Sequence, residues 1–243
     1  YGDHRDLHSF PTRRSSDLNP LIRALDMFDS SNGWATGDSY ALRTTDGGTT
    51  WYNVLPDVVP GGAFFLNPAT GWVIARSGAL YRTTNGGAQW TQSDIPFCGE
   101  HLQCTLHFLN GNDGYLLSGS PIGMFKYPVS LYQTSDSGAS WTLKFSHTPE
   151  AEPGGLPLGG YKYGVAFRDV LNGWINGGDY PAEGYFYLFR TTDGGLTWSH
   201  VQPALPIGYE SAYITVGAPK FFGPSQAVLP GDSRIGAGRD LVM

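Results

Sequence analysis

TTDGGTTW at residues 44–51, TTNGGAQW at 83–90, TSDSGASW at 134–141 and TTDGGLTW at 191–198 are four copies of one eight-residue phrase. Each copy, called a box below, opens with threonine, closes with tryptophan and holds an aspartate or asparagine between them. Four near-identical copies cannot all be one active site, so we interpret them as four copies of one structural joint. Repetition at intervals of roughly 40 to 57 residues predicts an array of similar units.

A second signal precedes each box and completes the unit. A phenylalanine is followed after about six residues by glycine and an aromatic residue, and short β-branched or aromatic runs bounded by turn residues surround this pair. The copies are Phe28 with Gly33-Trp34, Phe65 with Gly71-Trp72, Phe108 with Gly114-Tyr115, and Phe167 with Gly173-Trp174. Each unit therefore has four predicted strands, which is the pattern of a propeller blade, and the fold class is all-β.

The repeats divide the chain into blades of about 19–54, 55–93, 106–145 and 163–201, with an incomplete fifth over 213–243. The fifth is expected to begin at Lys220-Phe221-Phe222 and to continue through residues 226–229. Since propellers close with about four to eight blades, we expect a propeller of about six to eight blades, of which this chain is a fragment. Residues 1–18, YGDHRDLHSFPTRRSSDL, resemble a translated sequencing adapter and are set apart as a leader without fold.

Each box has a mechanical explanation as a tight turn between the third and fourth strands. The side-chain oxygens of Asp46, Asn85, Asp136 and Asp193 can accept hydrogen bonds from turn N–H groups. The threonines that open the boxes can cap the same turns, glycines can adopt positive φ there, and the closing tryptophans are expected to be buried under the blade. These residues are Thr44, Thr83, Thr134, Thr191, Gly48, Gly87, Gly138, Gly195, Trp51, Trp90, Trp141 and Trp198. A calcium loop is disfavoured because glycine stands where alternate oxygen ligands are required.

The phrase T-x-D-x-G-x-x-W resembles the Asp-box, or bacterial neuraminidase repeat. The combination of the GW strand with L-Y-R-T-T-D-G-G-x-T-W is similar to the propeller family of the photosystem II stability and assembly factor, over residues 19–229. That resemblance implies a protein that helps to assemble a membrane complex. Sialidases and xyloglucan hydrolases also carry Asp-boxes. A sialidase would require an arginine triad, a tyrosine nucleophile and an F/Y-R-I-P signature, and no such signature is present; Arg43, Arg82 and Arg190 occupy one repeated position, which repetition explains.

Composition excludes several partners. The net charge is −6 with no basic cluster outside the leader, so nucleic acid is not an expected partner. No apolar run approaches the roughly 20 residues that span a bilayer, and no motif indicates a cofactor or a metal.

Cys98 and Cys104 are the two cysteines of the chain and lie six residues apart. We interpret them as a local disulfide, with free thiols as the alternative and a metal site with His101 and His107 as the least favoured. A disulfide would indicate an extracytoplasmic protein, periplasmic, secreted or lumenal.

Loop lengths indicate where a partner binds. The long connections all leave the end of the blades opposite the boxes, at residues 94–105, 146–163 and 202–213 and within blades three and four. Loops on a rigid scaffold usually carry the binding residues. The candidates are Phe97, Phe125, Tyr127, Tyr161, Tyr180 and Tyr209, beside Met124, Tyr163 and Tyr185; the alternative is that these side chains only pack their own loops.

We therefore predict a non-enzymatic, exported scaffold that binds a protein, or a glycan, on the loop-rich end. The alternative is a secreted glycoside hydrolase of the sialidase or xyloglucanase type. That alternative requires two carboxylates about 5 to 9.5 Å apart, for which Asp179, Glu183 and Glu210 are the candidates.

Overall fold

The computed structural model describes residues 22–95, 97–99, 103–122, 126–147, 155–178, 187–201, 213–223, 226–235 and 238–242. The predicted leader, residues 1–18, lies outside the described residues, as do Phe125, Tyr180 and Tyr209. The three carboxylates of the hydrolase alternative, Asp179, Glu183 and Glu210, also lie outside them.

Four sheets of four antiparallel strands repeat along the chain, and in each the strands pair in sequence order. The strands of blades one and two are β1 (Ile22–Met27), β2 (Gly33–Gly37), β3 (Ala41–Thr44), β4 (Tyr52–Asn53), β5 (Pro60–Phe65), β6 (Gly71–Ala75), β7 (Ala79–Thr83) and β8 (Thr91–Asp94). Those of blades three and four are β9 (Gln103–Phe108), β10 (Gly114–Gly119), β11 (Val129–Thr134), β12 (Thr142–Ser146), β13 (Tyr161–Phe167), β14 (Gly173–Gly178), β15 (Leu188–Thr191) and β16 (Ser199–His200). The predicted fold class, a β-propeller of four-stranded blades, is confirmed.

The second strand of each blade is buried almost throughout, because it lies between two hydrogen-bonded neighbours and packs on both faces. Every residue of β2, β6 and β10 is buried, and Trp34, Trp72 and Tyr115 are 0% exposed. The fourth strands are short or exposed. The burial of the second strand, in contrast to the exposure of the fourth, explains why the predicted glycine-aromatic signal marks the second strand.

The chain divides into two compact units, Tyr1–Asp94 and Ile95–Met243. In the first unit, blades one and two pack through Trp34, whose ring stacks on Phe65 at a centroid distance of 4.4 Å. In the second unit, blades three and four pack through Tyr115, whose ring stacks on Phe167 at 3.5 Å. The same packing between successive blades therefore occurs in both units.

The fifth repeat differs from the prediction. Its first strand is interrupted into β17 (Tyr213–Val216) and β18 (Lys220–Phe221), and the chain returns as β19 (Ala227–Val228) and β20 (Gly231–Ile235). A further strand, β21 (Gly238–Val242), pairs with β20. The first strand thus begins at Tyr213, within the predicted bounds 213–243 but before Lys220, and a third strand follows that was not predicted because its glycine-rich run lacks the alternating pattern of the other blades.

Candidate functional site

The box turns share one hydrogen-bond scheme. The opening threonine hydroxyl donates to the side-chain oxygen of Asp46, Asn85, Asp136 or Asp193 at 2.7 to 3.0 Å. The same hydroxyl accepts from the N–H of the glycine four residues on at 2.9 to 3.0 Å. That glycine is Gly48, Gly87, Gly138 or Gly195, with φ between 87° and 93°. Each side chain is therefore engaged within its own turn.

The boxes also fix the end of the blade at which they lie. In every blade the box turn donates a backbone N–H to the turn between the first two strands, at 2.8 to 2.9 Å. The donor and acceptor pairs are Gly47 to Ser31, Gly86 to Ala69, Ser137 to Asn112, and Gly194 to Leu171. The two constant turns of each blade thus lie together, and the connections of variable length leave the other end.

The box tryptophans are less buried than expected. Trp198 is 4% exposed, but Trp51, Trp90 and Trp141 are half-buried. The indole N–H of Trp90 donates to the Val54 carbonyl at 3.0 Å, and that of Trp141 donates to the Gly138 carbonyl at 3.1 Å. Trp90 and Trp141 also pack edge-on against Trp34 and Phe108. The fully buried aromatic side chains lie on the first and second strands instead: Trp34, Trp72, Phe108, Tyr115 and Phe167.

The carboxylates of the boxes are acceptors with a lowered pKa. Hydrogen bonds from the Ser140 hydroxyl and N–H hold the pKa of Asp136 at about 2. The pKa of Asp193 is also lowered to about 2; partial burial opposes this shift, and hydrogen bonds from Thr197 and Thr191 cause it. Such groups remain ionised at neutral pH and are poor proton donors.

The repeated arginines lie over the second-strand aromatic rings. The guanidinium carbons of Arg43, Arg82 and Arg190 are 5.2, 5.9 and 5.4 Å from the ring centroids of Trp34, Trp72 and Trp174. Each arginine is the direct cross-strand partner of its tryptophan. Cation–π packing accounts for these three side chains within the blades.

At the loop-rich end of the second unit, the first candidates pack inwards. Cys98 and Cys104 form a disulfide with a Cα–Cα distance of 6.1 Å. The ring of Phe97 stacks on Tyr132 at 3.7 Å, and its carbonyl accepts from the Ser118 hydroxyl at 2.6 Å. Phe97 thus packs the disulfide loop against blade three. This is the alternative stated in the sequence analysis, in which the aromatic side chains pack their own loops.

Tyr127 was expected on the binding surface, and the structure corrects this expectation. Its side chain is 4% exposed and belongs to the apolar core of the second unit. Its hydroxyl donates to Gln103 Oε1 at 2.6 Å, and burial raises the pKa of its phenol to about 12. The ring is unavailable to a partner because blade three and the segment 155–160 cover it.

Tyr161 remains exposed and is joined by Tyr163. The two side chains are 41% and 44% exposed, and their rings are parallel within 4° at a centroid distance of 6.0 Å. Both lie on β13, which begins at Tyr161, so this part of the predicted loop 146–163 is strand. We call Tyr161 and Tyr163 the tyrosine pair.

A bulge and a close strand approach position the tyrosine pair. The register of β13 against β14 shifts between Lys162 and Gly164, so Tyr163 is the extra residue of a β-bulge, a feature that re-aims side chains. A Cβ at Gly177 would clash with the Tyr161 carbonyl oxygen, and one at Gly178 would lie 2.7 Å from the Tyr163 ring. Only glycine at both positions lets β14 approach this closely.

Lys162 lies between the two tyrosines in sequence but faces the opposite way. It is 2% exposed, and sequence reasoning missed it. The available signal was the alternation Tyr-Lys-Tyr, since neighbouring residues of a strand point to opposite faces.

Comparison with known proteins gives two sequence relatives, and no protein-family model matches the chain. A xyloglucanase of Paenibacillus sp. is 23% identical over 252 residues, covering 70% of this chain and 24% of the enzyme. The photosystem II assembly lipoprotein Ycf48 of Synechococcus sp. is 29% identical over 146 residues, covering 54% of this chain and 41% of that protein. The chain thus spans less than half the length of these curated relatives.

Among solved structures, YCF48 bound to a D1 peptide is similar with a TM-score of 0.41 and 18% identity, covering 92% of this chain and 89% of that one. The chain is a β-propeller that resembles Ycf48. The assignment of its boxes to the neuraminidase-type Asp-box stays a prediction.

No helix among the described residues has the length and apolar character to cross a membrane. In the same part of the chain, no group of three or more His, Cys, Asp or Glu side chains has the geometry to hold a metal ion.

Proposed function

We propose that this chain is part of a non-enzymatic β-propeller that binds a protein partner through the tyrosine pair. The observation that carries the proposal is the exposure of two parallel tyrosine rings, Tyr161 and Tyr163, on a strand of the scaffold. Tyrosine is enriched at protein interfaces because its ring offers a large apolar face and its hydroxyl a hydrogen-bonding end. A strand-mounted pair loses little conformational freedom on binding.

The described carboxylates with a shifted pKa have structural roles. A glycosidase needs a general acid whose pKa is raised. The aspartates with a shifted pKa, Asp29, Asp38, Asp46, Asp136, Asp169 and Asp193, all shift downwards, and all six accept hydrogen bonds. These six carboxylates therefore serve structure, and none is suited to donate a proton to a leaving group.

The proposal includes an extracytoplasmic location, periplasmic, secreted or lumenal. The disulfide between Cys98 and Cys104 supports it, because disulfides persist in oxidising compartments and are rare in the reducing cytosol. The sequence similarity to an assembly lipoprotein fits the same placement and favours a subunit of a membrane complex as the partner.

A glycoside hydrolase is the second candidate, and the sequence similarity to a xyloglucanase favours it. Its carboxylates would be Asp179, Glu183 and Glu210, and its glycan would stack on the tyrosine pair. Binding and hydrolysis of xyloglucan separate the two candidates.

The test is titration of the purified protein with a D1 peptide and, separately, with xyloglucan oligosaccharides, followed by calorimetry. We expect saturable binding of the peptide, loss of about tenfold or more in affinity for the Tyr161→Ala/Tyr163→Ala double variant, and no release of reducing sugar from xyloglucan. Release of reducing sugar that is abolished by Glu183→Gln or Glu210→Gln would establish the hydrolase instead.

The matched control is Val170→Ser/Leu171→Ser. These two side chains are also exposed and lie in the same blade, at its box end, with exposures of 49% and 53%. The control should bind the peptide as the parent does. Equal loss of affinity in both double variants would show that the tyrosine pair is not the binding surface.

A further inference from the structure

Lys162 carries a buried amino group that is held by the backbone of a single segment. Its Nζ donates to the carbonyl oxygens of Pro157, Leu158, Gly159 and Gly160 at 2.7, 3.1, 2.8 and 3.0 Å. The N–H donors of one nitrogen thus serve four successive acceptors, so the segment curls around Nζ. We call residues 157–160 the carbonyl segment.

The remaining contact of the Lys162 amino group is aromatic. Nζ lies 4.8 Å from the centroid of the Tyr187 ring, and the Tyr187 hydroxyl donates to the Pro157 carbonyl at 3.4 Å. Within the described ranges no carboxylate forms an ion pair with Lys162. The amino group is therefore held by backbone carbonyls and a ring face, and these contacts depend on the carbonyl segment staying in place.

The carbonyl segment joins blade three to the tyrosine pair. The Tyr127 N–H donates to the Leu158 carbonyl at 2.8 Å, and Lys126 forms a bridge with Gly159. Gly160 has φ of 76°, and a Cβ there would lie 2.8 Å from the Tyr187 ring. The segment then runs directly into Tyr161, so its position sets where β13 and its tyrosines begin.

We propose that Lys162 is the positioning residue of the tyrosine pair: by gathering the four carbonyls of residues 157–160 it holds that segment closed and keeps Tyr161 and Tyr163 preformed for binding. The consequence for binding rests on the proposed function. The closing of the segment by Lys162 does not, and it can be measured in the free protein.

Because Lys162 titrates, the equilibrium between the closed and open forms of the carbonyl segment depends on pH. Burial lowers the pKa of Lys162 to about 7, whereas an amine released to solvent regains its ordinary pKa near 10.5. Opening of the segment therefore takes up a proton between pH 7 and pH 10.5. Because protons favour the open form, the closed form becomes more stable as pH rises through this window, by up to about tenfold per pH unit.

The other groups around Lys162 titrate outside this window or face solvent. His147 has its pKa lowered, first by burial and then by the charge of Lys162. The phenols of Tyr187 and Tyr163 have raised pKa values, chiefly through burial. The side chain of Lys126 is exposed, and Tyr161 lies on the solvent face of β13. A change with pH in the opening constant of the carbonyl segment, between pH 7 and pH 9, thus reports on Lys162.

The experiment is amide hydrogen exchange of the free protein at Tyr127, whose N–H donates to the Leu158 carbonyl of the closed segment, from pH 7 to pH 9 and corrected for intrinsic exchange. We expect the opening constant of the parent protein to fall with pH and that of Lys162→Met to show no slope. At pH 9, Lys162→Met should open about tenfold more often, because Met keeps the apolar stem but leaves the carbonyls without donors. Lys144→Met on β12 is the matched control and should behave as the parent.

A parent protein without the pH slope would overturn the proposal, and this measurement needs no variant to fold. A slope that persists in Lys162→Met, or an equal change in Lys144→Met, would overturn it as well. Peptide titration of Lys162→Met then separates the two proposals. If hydrogen exchange responds as expected but the parent protein does not bind the peptide, the role of Lys162 in closing the segment is supported and the proposed function is refuted.

Discussion

The side-chain amide of Gln133 donates a hydrogen bond to the phenol oxygen of Tyr115 at 3.3 Å, across the strands β10 and β11. At the same paired position the other three blades place an arginine over a tryptophan. The two residues have changed together, since a phenol offers an acceptor for an amide and a smaller ring face for a cation. The hydroxyl of Tyr115 in turn donates to the Val170 carbonyl of blade four at 2.8 Å.

We predict that Tyr115→Phe destabilises the protein by about 1–3 kcal/mol, because it leaves the Val170 carbonyl and the Gln133 amide without their partner. Gln133→Ala should cost about 0.5–1.5 kcal/mol. Urea unfolding of both single variants and of the double variant measures the coupling. Strictly additive free energies would show that the two side chains do not act as a pair.

The box of blade three contains a strained serine that glycine should relieve. Ser137 has φ of 68°, and the other boxes have glycine at this position, with φ of 71° to 75°. Left-handed backbone costs a non-glycine residue about 1–2 kcal/mol, and the added chain entropy of glycine offsets part of this. The Ser137 hydroxyl donates to Asn112 Oδ1 at 3.1 Å, so the reference variant is Ser137→Ala, which removes the hydroxyl and keeps the Cβ. We expect Ser137→Gly to be more stable than Ser137→Ala by about 0.5 kcal/mol and Gly194→Ser to destabilise by about 1 kcal/mol. A Ser137→Gly variant less stable than Ser137→Ala in denaturant unfolding would refute the strain.

The boxes that contain an aspartate should make the free energy of unfolding depend on pH in the acid range. The folded-state pKa of Asp136 is about 2, below its unfolded value, so its contribution is fully present above pH 4 and is lost as pH falls from about 4 to 2. Asp136→Asn should therefore flatten the stability profile in this window, with its loss of stability largest at pH 7 and smallest near pH 2. Asn85 already fills the position in blade two, with its Oδ1 accepting from the Gln89 N–H at 2.9 Å. Asn85→Asp is the matched control and should steepen the profile.

Reduction should loosen the disulfide loop of blade three. Closing a loop of six residues contributes about 2 kcal/mol in the chain-entropy model. We expect Cys98→Ser/Cys104→Ser to lose about this much in denaturant unfolding and reducing agent to have the same effect on the parent. Reducing agent should leave the double variant unchanged, and any further loss there would contradict a disulfide origin of the effect.

Local sequence determined the blades, because strand and turn formation depends on residues that are neighbours in the chain. The boxes predict their own turns: threonine, aspartate and glycine lie within five residues and satisfy each other. The glycine-aromatic pairs predict the second strands for the same reason. The spacing of the two cysteines favoured a local disulfide over free thiols or a metal site, and the structure contains the disulfide.

Tertiary structure alone decided which tyrosines of the loop-rich end face solvent. Tyr127 and Tyr161 carry the same side chain in similar loops, yet one is 4% exposed and the other 41%. The difference arises because residues 155–160 return from blade three across Tyr127 and end at Tyr161, a packing between segments distant in sequence. The alternation Tyr-Lys-Tyr places Lys162 on the opposite face of the strand, but its burial follows from that same return, which supplies its four carbonyls.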